Sequence, residues 1–466
     1  MKFSKFLASR KDSAKKLVEI LGKSYQEVSI LGTQVFSTNY VTTKNTTSIS
    51  SSKDEECGFV VKLNNGKAFY EYSTNDILDV DFIVNKVKDE FTFNNSELES
   101  MIEVKPLNDE KLVKAFSRDT DFDKYTDDDI IKYTKNLTDE ICKKDEKIVN
   151  VNVRINKMEV SKFFVSKTKE LDQAYGWAVG AMMVMVKENG KISRARKSVD
   201  RQYLKDVMAE LSGKIDETVK LANKLAFAKM ITPGVYDIIT DPSITGLIAH
   251  EAFGHGVEID QFVKDRALAK SYVNKYVASE IVNMKDGAAS VLGLPSYFFD
   301  DNGVLAHDTQ IIKDGILVSG ISDEVSAREL NTSPTGNGRR EAFSHKAYTR
   351  MTSTFIEKGK DKLEDMIKSI KHGFMLFETN NGMEDPKNWS IQCVCEYGIE
   401  IIDGKLTDNY YSPVVISGNV LDLLKSISMV SDDFEMSGSG MCGKGYKEWV
   451  RVADGGPCLK AKVKLS

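Results

Sequence analysis

Apolar positions recur along this chain with two periods, and the alternation between them outlines its elements. From about Lys11 to Gly22 the period is helical, with Leu17, Ile20 and Leu21 on one face. Short strand-like runs rich in Val, Thr, Ser and Phe follow. Asn65-Gly66 reads as a hairpin turn between Phe59–Leu63 and Ala68–Tyr72. A helix near Ile77–Phe91 closes this unit, and residues 92–126, charged and rich in Asn and Asp, read as an exposed connection. A second helix-then-strands unit begins with a helix over Asp127–Lys144. Its strands lie near Val149–Arg154, Lys162–Thr168 and Trp177–Val186, with a turn at Asn189-Gly190. Around Asp200–Met230 the pattern predicts one long amphipathic helix. Leu204, Val207, Met208, Leu211, Ile215, Val219, Leu221 and Leu225 supply its stripe.

Pro233-Gly234 ends that helix and opens a new region. An apolar run, Gly246-Leu247-Ile248-Ala249, reads as the start of a buried helix. Beyond it the chain is mostly strands. Asn302-Gly303, Asp314-Gly315 and Asp403-Gly404 are hairpin signals, and helices near Asp361–Lys371 and Val420–Ile427 interrupt the strands. The expected fold is α+β in two domains. Residues 1–230 form a helix and antiparallel-sheet domain. Residues 231–466 form a domain with a large antiparallel sheet or open barrel that carries the buried helix.

Composition narrows the function classes. The apolar fraction of 41% and charged fraction of 29% describe an ordinary globular protein. Net charge is −5 with both signs interspersed, so no basic stripe suggests nucleic acid. No apolar run approaches bilayer-spanning length, and the N-terminus lacks the apolar core of a signal peptide. Six scattered cysteines do not make a disulfide framework, so a reducing cytoplasm is the expected compartment. Cys393 and Cys395, two apart in an apolar stretch, are expected on one face of a strand.

The chemistry concentrates in His250-Glu251-Ala252-Phe253-Gly254-His255, which holds two of only five histidines. Imidazole suits zinc, and a carboxylate beside the metal's water can serve as general base. The histidines are spaced i and i+5, roughly 140° apart on a regular helix. They can share an ion only if the helix widens into a π-type turn or breaks, and Gly254 would ease either distortion. Taken bare, the motif also fits a buried helix with two ordinary histidines. A hydrolytic zinc site commonly has three protein ligands. Glu258, one turn on, Asp260, and the remote Cys442 in a glycine-rich loop are the available third donors.

Three segments carry a resemblance. They are Pro233–Asp260, Thr335–His345 with its continuation to Arg350-Met-Thr-Ser-Thr354, and Gly438-Ser-Gly-Met-Cys-Gly-Lys444. In order and spacing they resemble the TldD/PmbA family of metallopeptidases, specifically its TldD-type subunit. The resemblance implies one Zn²⁺ per chain, held by His250, His255 and Cys442, with Glu251 as general base and Glu258 as an orienting residue. It raises Asn337, Arg339, Arg340, His345, Arg350, Thr352 and Thr354 as substrate-binding groups. It also implies a homodimer, or a heterodimer with a PmbA-like chain. Trp389 departs from the small residue usual in the family and bears on the substrate pocket.

The reading that follows is a zinc-dependent peptidase that hydrolyses unstructured peptides, for maturation or degradation. A peptide adding to a sheet edge would be read through its backbone. The alternative is a non-catalytic peptide-binding or scaffold subunit of such a dimer. A zinc hydrolase acting on a non-peptide amide also fits the residues.

Overall fold

A computed structural model describes residues 1–52, 57–91, 110–445 and 447–466. Much of the predicted connection, residues 92–109, lies outside the described residues. The helices α1 (Lys11–Leu21), α2 (Val80–Glu90) and α3 (Asp127–Cys142) match the predicted ones closely. Each buries one apolar face. Thr126 caps α3: its hydroxyl accepts from the Asp129 amide, and the Asp129 side chain returns the bond.

The strands are longer than their hydrophobicity suggests. They are β1 (Glu27–Thr43), β2 (Thr47–Ser52), β3 (Cys57–Asn64), β4 (Phe69–Thr74), β5 (Leu112–Ser117), β6 (Ile148–Ser166), β7 (Lys169–Glu188) and β8 (Lys191–Arg201). They form one eight-stranded sheet in the order β4-β3-β1-β6-β7-β5, with β2 on β1 and β8 on β7. The two predicted strands at Val149–Arg154 and Lys162–Thr168 belong to the single strand β6. Its polar middle pairs with β1 and β7 on either side. Inside the predicted connection, β5 pairs in parallel with β7. The predicted long helix is two, α4 (Leu204–Gly213) and α5 (Ile215–Leu225), because the chain breaks at Gly213-Lys214. Glycine is a poor helix former, and a break there lets both stripes face the same sheet.

The second half holds two further sheets and a two-stranded ribbon. Its strands are β9 (Gly234–Thr240), β10 (Met284–Asp286), β11 (Thr309–Lys313), β12 (Ile316–Leu317), β13 (Gly338–Arg339), β14 (Tyr348–Thr349), β15 (Ser353–Ile356) and β16 (His372–Asp385). After them come β17 (Ser390–Ile402), β18 (Lys405–Tyr411), β19 (Val414–Asn419), β20 (Met429–Val430), β21 (Glu435–Lys444), β22 (Lys447–Gly456) and β23 (Leu459–Leu465). One sheet runs β12-β11-β10-β15-β22-β21, with β21 at its edge. In the other, β16-β9-β23-β19-β17 closes on itself through β16–β17 pairing. The expected open barrel is therefore closed and five-stranded. Two of the pairings in these sheets, β9–β16 and β15–β22, are parallel. Asp314-Gly315 and Asp403-Gly404 make the expected tight turns with both residues at positive φ. Asn302-Gly303 turns the chain, but its flanks meet only in an isolated bridge.

Helix α6 (Pro242–Phe253) positions the site. Asp241 caps it, accepting from the Ile244 amide at 2.8 Å, and Pro242 opens it. Every residue from Ile244 to Phe253 is buried, because the helix touches barrel strands β16 and β17 and also β15, β21 and β22. A helix apolar all round has to be central to a core. Gly246 lets it settle. A methyl group there would lie 2.3 Å from the Gly455 amide nitrogen and 2.6 Å from the Asp454 carbonyl carbon. Gly246→Ala is expected to destabilise the fold by about 1–3 kcal/mol, since backbone meets backbone and cannot yield cheaply. Urea unfolding of the variant measures this, and an unchanged midpoint would contradict it.

Candidate metal centre

The helix breaks between the two histidines, which resolves their awkward spacing. α6 ends at Phe253, Gly254 closes its last turn by donating to the His250 carbonyl at 3.1 Å, and a 3-10 turn begins at His255. There is no π-type widening. The break brings the imidazoles to 5.2 Å between centroids at 85°. Gly254 is required at the bend, because a side chain there would run into Met351 Sδ and the His250 carbonyl.

Cys442 arrives from the edge strand β21, where a bulge between Cys442 and Lys444 interrupts the ladder to β22. Its Sγ stands 3.2 Å from His255 Nε2. One donor atom from each of His250, His255 and Cys442 lies within 4.8 Å of the others. The other face of each imidazole looks toward a carboxylate. His250 Nδ1 is 3.7 Å from Asp454 Oδ2, and His255 Nδ1 is 3.6 Å from Glu258 Oε2. Carboxylates behind ligand histidines fix ring orientation and raise basicity.

The three side chains strongly perturb one another's titration. Burial pushes the Cys442 thiol up, but the facing histidines outweigh it and hold it at about 4. Burial pulls His250 down, yet Cys442 raises it to about 9, and His255 moves well above its ordinary value for the same reason. A buried thiolate facing two imidazoles is a soft donor set of the kind zinc takes. His250 Nδ1 is buried without a hydrogen-bond partner, because Asp454 stands just beyond bonding distance. The residues present fit the ion.

Of the other third-donor candidates, neither faces both histidines. Glu258, fully buried, accepts from Arg350 Nε at 3.2 Å and lies 3.0 Å from Lys444 Nζ. Asp260 is held by Lys444 at 2.7 and 2.8 Å. Burial raises Asp260 to about 6 despite that lysine.

Glu251 is buried beside His250, and among the described residues no hydrogen bond holds its carboxylate. It lies against the bare Cα of Gly382 on β16, where a methyl group would stand 2.7 Å from its Cγ and 2.8 Å from Oε1. Glu384, two residues along the same strand face, is raised to about 9 by burial and by the acids Glu251, Asp385 and Glu258, despite the opposing pull of His255. Both of its carboxyl oxygens are buried without a partner.

The predicted substrate-binding segment divides differently from expectation. Asn337, Thr352 and Thr354 are fully buried, and their side chains all bond the Asp286 carboxylate. Their side chains are thus engaged with a buried carboxylate. Arg339 donates to the Met351 carbonyl at 2.5 Å. Arg340 forms a two-point pair with Glu71 of β4, at 2.8 and 2.6 Å. His345, 40% exposed, stands apart from the centre between Glu341 and Glu448. Arg350 reaches the centre, but its partners are Cys442, Glu258 and the Glu448 carbonyl. Trp389 is no pocket wall: it is fully buried, packed on Phe253 and Tyr272 with ring centroids at 5.5 and 4.7 Å. Cys393 and Cys395 share one buried face of β17, as expected.

Sequence reading missed Asp454, Gly382 and Glu384. Asp454 had a weak signal in Asp454-Gly455-Gly456, where small residues allow close backbone approach. Lys444 lay inside a quoted motif without a role.

Residues 233–458 match the PmbA/TldA metallopeptidase C-terminal domain. The chain is 29% identical over 338 residues to a metalloprotease of Methanocaldococcus jannaschii, covering 72% of this chain and 73% of that one. It is 32% identical over 230 residues to a zinc metalloprotease TldD homolog of Saccharolobus solfataricus, covering 49% and 51%. The chain thus spans about half the length of that second relative. The crystal structure of TldE from Thermococcus kodakarensis shares its fold, with a TM-score of 0.73 at 18% identity over 97% of this chain and 100% of that one. Among the described residues, no helix is long and apolar enough to cross a membrane.

Proposed function

Because the chain belongs to the TldD/PmbA family of metallopeptidases, we propose that it is a zinc-dependent peptidase acting on unstructured peptides. The observation that carries this is the convergence of His250, His255 and Cys442 beside the unbonded carboxylate of Glu251. These three side chains would hold the ion, which supplies Lewis-acid activation of water when bound. Glu251 accepts the proton of the attacking water and delivers it to the departing amine. Glu258 orients the His255 ring, and Asp454 places a negative charge behind the His250 ring. Gly382 keeps the space that the Glu251 side chain occupies.

The edge strand β21 carries Cys442 and has a strand neighbour on one side only among the described residues. An extended peptide can add along it through backbone hydrogen bonds and so reach the centre. Such binding selects unfolded chain over folded surface. In this reading the protein works in the cytoplasm, as a homodimer or beside a PmbA-like chain.

The test is cleavage of an unstructured peptide by the zinc-loaded protein, alone and with a co-expressed PmbA-like chain, followed by mass spectrometry. Fragments with new termini support the reading. Zinc-loaded protein that binds the peptide but leaves it intact in both settings points instead to a scaffold. Gly382→Ala is expected to push Glu251 aside and lower kcat by about 10²-fold while zinc content holds, because small misplacements of a reacting group are costly. Unchanged kcat in that variant would remove Glu251 from the position assigned to it.

A further inference from the structure

Arg350 is fully buried, yet it carries a charge that must be balanced where it sits. Its partners account for every nitrogen of the guanidinium. Nε donates to Glu258 Oε1 at 3.2 Å. One terminal nitrogen donates to the Glu448 carbonyl. The other donates to both the Cys442 carbonyl, at 3.1 Å, and Cys442 Sγ, at 2.9 Å. A planar fork with this many donors can hold several acceptors in fixed directions, which an ammonium cannot do.

These bonds reach two of the three candidate ligands. The sulfur of Cys442 is held directly. His255 is reached through Glu258, whose second oxygen faces His255 Nδ1 at 3.6 Å. Lys444 steadies that same oxygen from 3.0 Å. Without Arg350, the Glu258 carboxylate and the Cys442 sulfur would each lose a buried hydrogen-bond donor. Arg350 also comes from β14–β15, whereas Cys442 lies on β21 and His255 on the turn after α6. One side chain therefore ties three separately folded segments together at the ion's position.

We propose that Arg350 is a positioning residue of the metal centre: it directs the Cys442 sulfur and, through Glu258, the His255 ring toward the ion, and it tunes the sulfur by hydrogen bonding. This rests on the zinc reading above. A hydrogen bond to a metal-bound sulfur withdraws electron density from it, and such outer groups typically change metal affinity by about 10–100-fold.

The experiment uses the full-length chain and Co²⁺ as a spectroscopic probe, beside Zn²⁺ affinity by competition with a chelator. Arg350→Met removes all donors at similar volume. Arg350→Lys keeps the charge and loses the fork. The expected results are Zn²⁺ affinity weakened about 10–100-fold in Arg350→Met, with partial recovery in Arg350→Lys. The sulfur-to-cobalt charge-transfer band should move to lower energy in Arg350→Met. If Arg350→Met does not fold, Arg350→Lys and Glu258→Gln decide, and each should weaken Zn²⁺ and alter the cobalt spectrum. Affinity and band matching the wild type in the folded variants would overturn the proposal and leave the zinc reading standing. A wild-type chain that takes up neither ion would overturn both.

Discussion

Cys442→Ser is expected to strip the protein of its zinc. The wild type should carry about one ion per chain, in keeping with a site of three protein ligands. The variant replaces the soft donor of the set with a hydroxyl that stays protonated at neutral pH. The loss in affinity should exceed the roughly 10–100-fold of an outer-group change. Metal analysis by mass spectrometry after dialysis against a weak chelator reads the result. Cys393→Ser is the control, because that thiol is buried in the barrel strand β17. Equal zinc in wild type and Cys442→Ser would remove Cys442 from the centre. No zinc in the wild type, even when the ion is supplied at neutral pH, would end the peptidase reading.

Glu251→Gln is expected to do the reverse: zinc stays and cleavage goes. Glutamine keeps the shape that fits against Gly382. It cannot take a proton from water. A positioned base contributes about 10²–10⁴-fold, so peptide turnover should fall by that factor, with peptide binding little changed. Single-turnover cleavage with matched metal content is the measurement. Wild-type turnover in the variant would show that another group, with Glu384 on the same strand as Gly382 a candidate, does the work. A wild type and variant that bind peptide equally and cleave none would favour the scaffold alternative.

Parts of this site were legible before folding. The apolar run Gly246–Ala249 announced a buried helix, although the helix begins earlier, at Pro242. The histidine spacing required a break or a π-turn, and Gly254 marked where. Other parts were hidden because polar side chains do not reveal which way they face. Asn337, Thr352 and Thr354 read as a hydrogen-bonding surface for a substrate, but Asp286, some fifty to seventy residues earlier, claims all three. Trp389 read as a departure bearing on the substrate pocket, whereas it packs under the metal-bearing helix. The N-terminal strands were underestimated because their long middles are polar, and pairing on both sides compensates for the missing hydrophobicity.

By itself, the sequence determined the local elements, the α+β class and the two histidines with their intervening glutamate, since these depend on period, caps and short spacing. It supplied a choice of third ligands and, through resemblance, a preference among them. Only the tertiary structure decided how Cys442 meets His255 across 187 residues, that Asp454 and Glu258 stand behind the imidazoles, and that Arg350 serves the centre. Those contacts arise from the closed barrel, the register of β21 on β22 and the close seat of Gly246 on Gly455. The physical reason is range. Helix and turn signals are settled by neighbours a few residues apart, whereas a buried charge network is settled by which strands pack together.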